Sequence, residues 1–199
     1  VEVPEGIDTG FGYNVGRAAW GEGAQRQALE KHGPFERLKG WADEDPKTLP
    51  PLQPTPPRAP LAIRTARNEA ELREMFRRAI GSDSAILTDP VGGHINVTQA
   101  IVDHIIEQDS RSDGREAYFP LIPEIIQAPQ EIWAGFAQNP ETGMVVLRTR
   151  YVRLFELSKN VVVGLVADAD AGQWSGYTFF RGSKTALKNL RTGLRIYPV

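Results

Sequence analysis

Past residue 60, the spacing of apolar positions changes once, from a helical period to a period of two. Asn68 followed by Glu71 forms a capping box that opens a helix predicted over 69–80, and Gly81 closes it. Ile86-Leu87-Thr88 is a short apolar run, and the turn Pro90-Val91-Gly92-Gly93 joins it to His94-Ile95-Asn96 as a small hairpin. Asn96 then reads as the cap of a helix over 97–108, along which Val97, Ala100, Ile101, His104, Ile105 and Gln108 share one side. A polar loop, 109–115, follows. Segments 120–127 and 130–136 read as two short helices, with Pro129 starting the second. After the turn at 139–143 the apolar residues alternate, predicting strands over 144–157, 161–168 and 174–180, joined by hairpin-length loops. A helical turn at 186–190 and a last strand at 194–197 complete the pattern. Helices followed by an antiparallel meander predict an α+β fold.

The first sixty residues have a different texture. A Gly-rich stretch over 8–16 gives way to a short polar helical pattern over 25–39. Seven of the fifteen prolines then fall between 46 and 60. Proline fixes φ and removes a donor, so this run favours extended polyproline II. The expected organisation is an N-terminal appendage over 1–45, a linker over 46–60 and a structured domain over 61–199.

Composition narrows the chemistry. There are no cysteines, which removes disulfides, Cys-ligated zinc, iron–sulfur clusters and thiol nucleophiles. Three histidines, His32, His94 and His104, make a His-rich metal site unexpected. No apolar run reaches the roughly 18–20 residues that span a bilayer, and Val1–Glu5 lacks the features of a secretory signal. The net charge of −2 conceals an asymmetry: residues 141–199 hold 9 Lys+Arg against 4 Asp+Glu. A basic last third suits an anionic partner such as nucleic acid, or an acidic helical half packed beside a basic sheet.

Several side chains stand out. His104 lies in an apolar helical stripe beside Asp103, either as a hydrogen-bonded core residue or as an acid–base group titrating near neutrality. Period two places Arg148 and Arg150 on one face of their strand with Val146 and Val152. Tyr151 and Arg153 fall on the other face with Leu147 and Phe155. Two guanidiniums on such a face need acidic partners, for which Glu124 and Glu131 are candidates, or an anion to clamp. Thr178 alternates with Tyr177 and Phe179, and its hydroxyl suits a phosphate oxygen as well as simple strand propensity. His94, after Gly92-Gly93, is a loop histidine or an acid–base group. No P-loop, nucleophile elbow or His-Glu-x-x-His helix occurs.

Four stretches carry a resemblance. They are His94-Ile95-Asn96-Val97 with Asp103-His104-Ile105, Gly114-Arg115 with Phe119-Pro120-Leu121-Ile122-Pro123-Glu124-Ile125-Ile126, Pro129-Gln130-Glu131-Ile132-Trp133, and Leu147-Arg148-Thr149-Arg150-Tyr151. Together they resemble a phage-associated nuclease domain of the barnase–EndoU–colicin–RelE (BECR) group of metal-independent ribonucleases. Such domains end phage Mu-type head morphogenesis proteins and occur in polymorphic toxins. The stretch over 8–16 is similar to the Asp-Pro-Gly-Phe-x-Tyr-Asn-Pro-Gly segment joining the morphogenesis module to its cargo, with Thr9 and Val15 replacing its prolines.

The resemblance implies helices packed on an antiparallel sheet of about four strands. It also implies a site of His104, Arg148 and Thr178, with RNA held by Arg150, Tyr151, Arg153, Trp174, Tyr177 and Lys184. RNA supplies its own 2′-OH nucleophile, so no metal or cofactor is expected. A histidine moves the proton, arginines stabilise the phosphorane, and aromatic rings stack an unpaired base. Glu124, Glu131 and His94 are candidates for the second acid–base group. A cognate immunity protein is the expected partner, and the target-cell cytoplasm is the expected place of action after delivery by a virion or a secretion system. Two other readings compete. An ADP-ribosyltransferase would use Arg148 and Thr178 for NAD but lacks a Glu after Glu156, and a phage-head accessory domain would only bind.

Overall fold

A computed structural model describes residues 7–8, 36–38, 48–59, 61, 64–107, 114–140, 142–159, 161–181 and 190–198, without the side chains of 7, 8, 36, 37, 104, 107 and 177–181. Lys184 and most of the expected N-terminal appendage, including its 8–16 motif beyond Asp8, lie outside the described residues. So do the 25–39 helical pattern apart from 36–38 and the 186–190 turn apart from Leu190.

Two short strands, β1 (Ile7–Asp8) and β2 (Glu36–Arg37), precede the main body. Helix α1 (Glu69–Ile80) has the expected ends: the Asn68 side chain accepts from the Glu71 amide, and Gly81 closes it at φ 89°. It buries Leu72 and Phe76, while its polar side carries Arg73–Glu69, Arg77–Glu74 and Arg78–Glu74 pairs. Strands β3 (Ser84–Thr88) and β4 (His94–Thr98) form the hairpin. Its Asp89–Gly93 turn is built around Asp89, whose carboxylate accepts the amides of Val91 and Gly93.

Asn96 is a buried residue of β4 and not a helix cap. Helix α2 (Ala100–Glu107) begins later, where the Thr98 hydroxyl accepts the Ala100 amide at 3.3 Å. A 3-10 turn (Arg115–Leu121) leads into α3 (Ile122–Gln127). The second short helix expected at 130–136 is instead strand β5 (Glu131–Gln138). Eight consecutive pairs with the next strand override the local helical reading. The Trp133 indole donates to Glu131 two residues back, a contact that the two-residue repeat of a strand provides. Strands β6 (Val145–Ser158), β7 (Val161–Asp170), β8 (Gln173–Arg181) and β9 (Leu194–Tyr197) follow.

The fold is α+β, but the sheet exceeds the expected four strands and is mixed. Its order is β2-β5-β6-β7-β8-β4-β3, with β1 beside β6 and β9 beside β5. The difference comes from β5 joining β6, from the 84–98 hairpin attaching to β8 through a parallel bridge at Asn96–Gln173, and from the short β1 and β2 beside β6 and β5.

Alternation gives this sheet two unlike faces. Tyr151, Phe155, Val163, Leu165, Ala167 and Ala169 point into the main core with α1, α2, the 3-10 turn and α3. The opposite face carries Trp133, Val152, Leu154 and Val166 at one end and Ala137, Val146 and Ala171 at the other. The proline-rich segment 48–59 lies against the domain. Leu49 and Leu52 cover the Trp133 end, and Thr55 bridges to β6 through the Leu154 carbonyl and the Glu156 amide. β6 runs past the end of β5, and this bridge occupies the backbone edge left there.

Candidate functional site

Between the two apolar ends of the second face lies a ladder of opposite charges. Antiparallel pairing sets Arg148 opposite Asp170 and Arg150 opposite Asp168. Arg148 donates through Nε and Nη2 to Asp170 at 2.6 and 2.8 Å, and Arg150 through the same atoms to Asp168 at 2.7 Å each. Arg150 Nη1 also donates to the Leu190 carbonyl at 3.0 Å. Burial alone would lower the Arg148 pKa; the hydrogen bond to Asp170 and the charges of Asp170 and Asp168 hold it above its ordinary value. The acidic partners expected for these arginines, Glu124 and Glu131, are engaged elsewhere. Glu124, on the helix of the main core, pairs with Arg153, and Glu131, set opposite Val152 and beyond Arg150 along β5, pairs with Arg191.

The ladder is flanked by glycines. Gly135 of β5 stands opposite Arg148, and Gly176 of β8 opposite Asp168. A Cβ added at either would meet nothing within 4 Å, so the backbone beside the charges is open. A small pocket, scaled to a water molecule, is lined by Trp133, Gly135, Phe136, Arg148, Arg150 and Thr192. Across the sheet, the Asn96 amide donates to Gln173 at 3.0 Å, and Gln173 pairs with Asp170. His94 sits two residues before Asn96. Buried Ile95 and Val97 turn to the main core, so His94 shares the ladder's face of the sheet.

A family model described as phage-Barnase-EndoU-ColicinE5/D-RelE like nuclease 2 (PBECR2) matches residues 71–198. The chain belongs to that nuclease family. No curated protein and no solved structure matches it. The match takes in both helical and sheet layers of the PBECR2 domain, and with them the whole ladder. Residues 48–59, which close one end of the sheet, lie before the matched stretch.

Within this nuclease domain the expected site residues fall into three groups. Arg148 and Arg150 are in the ladder, and Thr178 occupies a register position opposite Val166 on the same face. His104 belongs to α2, whose Ile101 and Val102 pack into the main core on the other side of the sheet. The structure therefore does not bring the His104 helix and the arginines to one face.

The third group is committed to packing. Tyr151 is fully buried and donates to Asp89 at 2.7 Å. Burial, then the charge and hydrogen bond of Asp89, pushes its pKa far up. Arg153 lies over the Phe155 ring, ion-paired with Glu124 and donating to the Ala128 carbonyl and Thr55, and burial lowers its pKa. Trp174 is in the main core, its indole donating to the Gly176 carbonyl at 2.6 Å. The side chain of Tyr177 and all of Lys184 lie outside the described set.

Three features of the site escaped the sequence: the aspartate partners, the flanking glycines and Thr192. The first had a signal. A hairpin turning at residue 159 sets 148 opposite 170 and 150 opposite 168, so the two-residue spacing of arginines is answered by the same spacing of aspartates. Among the described residues no group of three or more His, Asp or Glu is placed to hold a metal, and no helix is long and apolar enough to cross a membrane.

Proposed function

We propose that this PBECR2 domain is an endoribonuclease, a toxin domain that cleaves RNA by attack of the 2′-OH on the adjacent phosphate, with the ladder face as its active surface. Membership in a nuclease family over 71–198 carries the reading. Its chemistry is supported by the ladder: two guanidiniums held rigid by aspartates form preorganised donors for the charge that develops on a phosphorane. The aspartates cancel most of the ladder's own charge, so recruitment of RNA rests on the wider basic third of the chain.

His94 is the proton-transfer group of this proposal, because its strand shares the ladder face and the His104 helix does not. The 2′-OH loses its proton to one group and the leaving 5′-oxygen gains one, while the phosphate passes through a 2′,3′-cyclic ester. No metal enters these steps.

The test is cleavage of total tRNA in EDTA, with end-group analysis. Wild-type protein should yield 2′,3′-cyclic phosphate ends. Loss of a general base typically costs about 10²–10⁴ in rate, so His94→Ala should fall by that order while His104→Ala retains activity. Arg148→Lys, which keeps charge but loses the two-point grip, should also slow the reaction. Cleavage that requires magnesium would overturn the mechanism, and an inactive His104→Ala beside an active His94→Ala would reverse the histidine assignment.

A further inference from the structure

Among the described residues, two buried polar atoms on the ladder's side of the sheet, Asn96 Oδ1 and Thr192 Oγ1, have no hydrogen-bond partner. The Oγ1 atom of Thr192 is buried and finds no hydrogen-bond partner among the described residues, although Thr192 lines the same small pocket as Arg148 and Arg150. A buried hydroxyl without a partner is costly, and native folds keep few of them. This one is placed there by construction. Arg191 is locked to Glu131, both nearly fully buried, and donates to the Pro50 carbonyl at 2.8 Å. On the other side Gly193 adopts φ 110°, and a Cβ there would collide with the Ala134 carbonyl oxygen. Only glycine lets the chain press so closely on β5. Leu190, before the lock, accepts from Arg150. The 190–193 segment is thus pinned at three points, and Thr192 is delivered between the pins into a pocket lined by two guanidiniums.

Gly135 supplies the second observation. It lies in a strand interior, opposite Arg148, and lines the pocket. A glycine in that position weakens a strand and commonly marks where a ligand comes close to the backbone. Its own Cβ position is unobstructed, so packing does not demand it.

We propose that Thr192 is a substrate-binding residue of this nuclease: its hydroxyl donates to a non-bridging oxygen of an RNA phosphodiester that enters over Gly135 and is held from the other side by Arg148 and Arg150. The inference rests on the nuclease reading of the ladder face and adds to it the phosphate contact. Its chemistry is that of a neutral donor to an anion, the class of hydrogen bond stronger than one between neutral groups.

An eight-residue all-deoxy oligonucleotide is a suitable binding probe, because without a 2′-OH it cannot be cleaved by this route. Measured by fluorescence anisotropy on the full chain, Thr192→Val should bind about tenfold more weakly than wild type. Thr192→Ser, which restores the hydroxyl, should recover most of the loss. Gly135→Val should weaken binding at least as much while leaving the unfolding midpoint near that of wild type. If Thr192→Val fails to fold, Thr192→Ala compared with Thr192→Ser decides the same question.

Equal binding by hydroxyl-bearing and hydroxyl-free variants overturns the proposal, since the hydroxyl then serves at most a water. Unchanged binding by Gly135→Val removes the entry route and overturns it equally. The two levels separate cleanly. Wild-type protein that cleaves RNA while Thr192→Val binds and cleaves as well refutes the Thr192 contact alone. Wild-type protein that binds the probe in a Thr192-dependent way but cleaves no RNA refutes the ribonuclease chemistry and keeps the contact.

Discussion

Replacing Arg191 with Met should destabilise the domain by about 3 kcal/mol. Arg191 and Glu131 are each 3% exposed and share a two-point contact, with Nε to Oε2 at 2.6 Å and Nη2 to Oε1. Met keeps an apolar stem of similar reach but leaves the Glu131 carboxylate, among the described residues, with the Trp133 indole at 3.0 Å and Arg195 at 4.0 Å. Removing one partner of a buried pair costs about 3–5 kcal/mol, and these two remaining neighbours place the value at the lower end. The Pro50 carbonyl also loses its donor, adding about 1 kcal/mol at most. In a chain of this size each kcal/mol lowers the melting temperature by about 2–4 °C, so the expected drop is roughly 6–12 °C. Urea unfolding followed by tryptophan fluorescence gives the free energy directly, with an unchanged m value as the sign that only stability moved. The double variant Glu131→Leu/Arg191→Met should regain most of the loss, because two apolar replacements leave no charge buried. A single variant within about 1 kcal/mol of wild type, or a double variant no better than the single, would refute this account of the lock.

Tyr151→Phe should cost about 1–3 kcal/mol by leaving a buried carboxylate oxygen of Asp89 without its donor, measured by the same unfolding curves. Because the fold raises the Tyr151 pKa, the neutral hydroxyl's contribution is whole below the ordinary tyrosine range near pH 10 and is lost as pH rises above it. Tyr151→Phe should therefore flatten the alkaline decline in stability, and an unchanged decline counts against it. Leu49→Asp should destabilise the full chain by placing a charge under the proline-rich segment against Trp133, Val152 and Leu154; an unaltered melting curve would show that this segment adds nothing to the fold. RNA affinity should fall as salt rises, and Lys184→Ala should reduce the log–log slope by about 0.7, the value of one single-strand phosphate contact. An identical slope would remove Lys184 from the RNA surface.

The elements that the sequence revealed are those whose signals are local. The 69–80 helix announces both ends by Asn68, Glu71 and Gly81, and the alternation in 144–157 and 161–168 places each side chain on its proper face. The two misreadings share a cause. Asn96 is a good cap and Pro129 a good first residue of a helix, yet both preferences amount to about 1 kcal/mol. Against them stand Asn96 buried in a hydrogen bond to a residue 77 positions away and an eight-residue register between β5 and β6. No local pattern contains those partners, so propensity was outvoted by pairing.

The site divides along the same line, and the division carries its own lesson about the histidines. Arg148 and Arg150 were legible because alternation alone says they share a face, and their aspartates were recoverable from hairpin arithmetic. Thr192 was not legible, since its place depends on a glycine pressed on Ala134 and on an ion pair spanning 60 residues. His104 is conspicuous in the sequence as a polar residue in an apolar helical stripe, whereas His94 at the mouth of a turn is not. Parity along β4 reverses that ranking. Ile95 and Val97 go to the core, so residues 94 and 96 must face the other way, toward the ladder. A helix assigned to start at Val97 hides this parity, because the alternation then appears to stop at Asn96. Moving the helix start to Ala100 is therefore more than a boundary correction: it is the step that sets a histidine on the same face as the arginines.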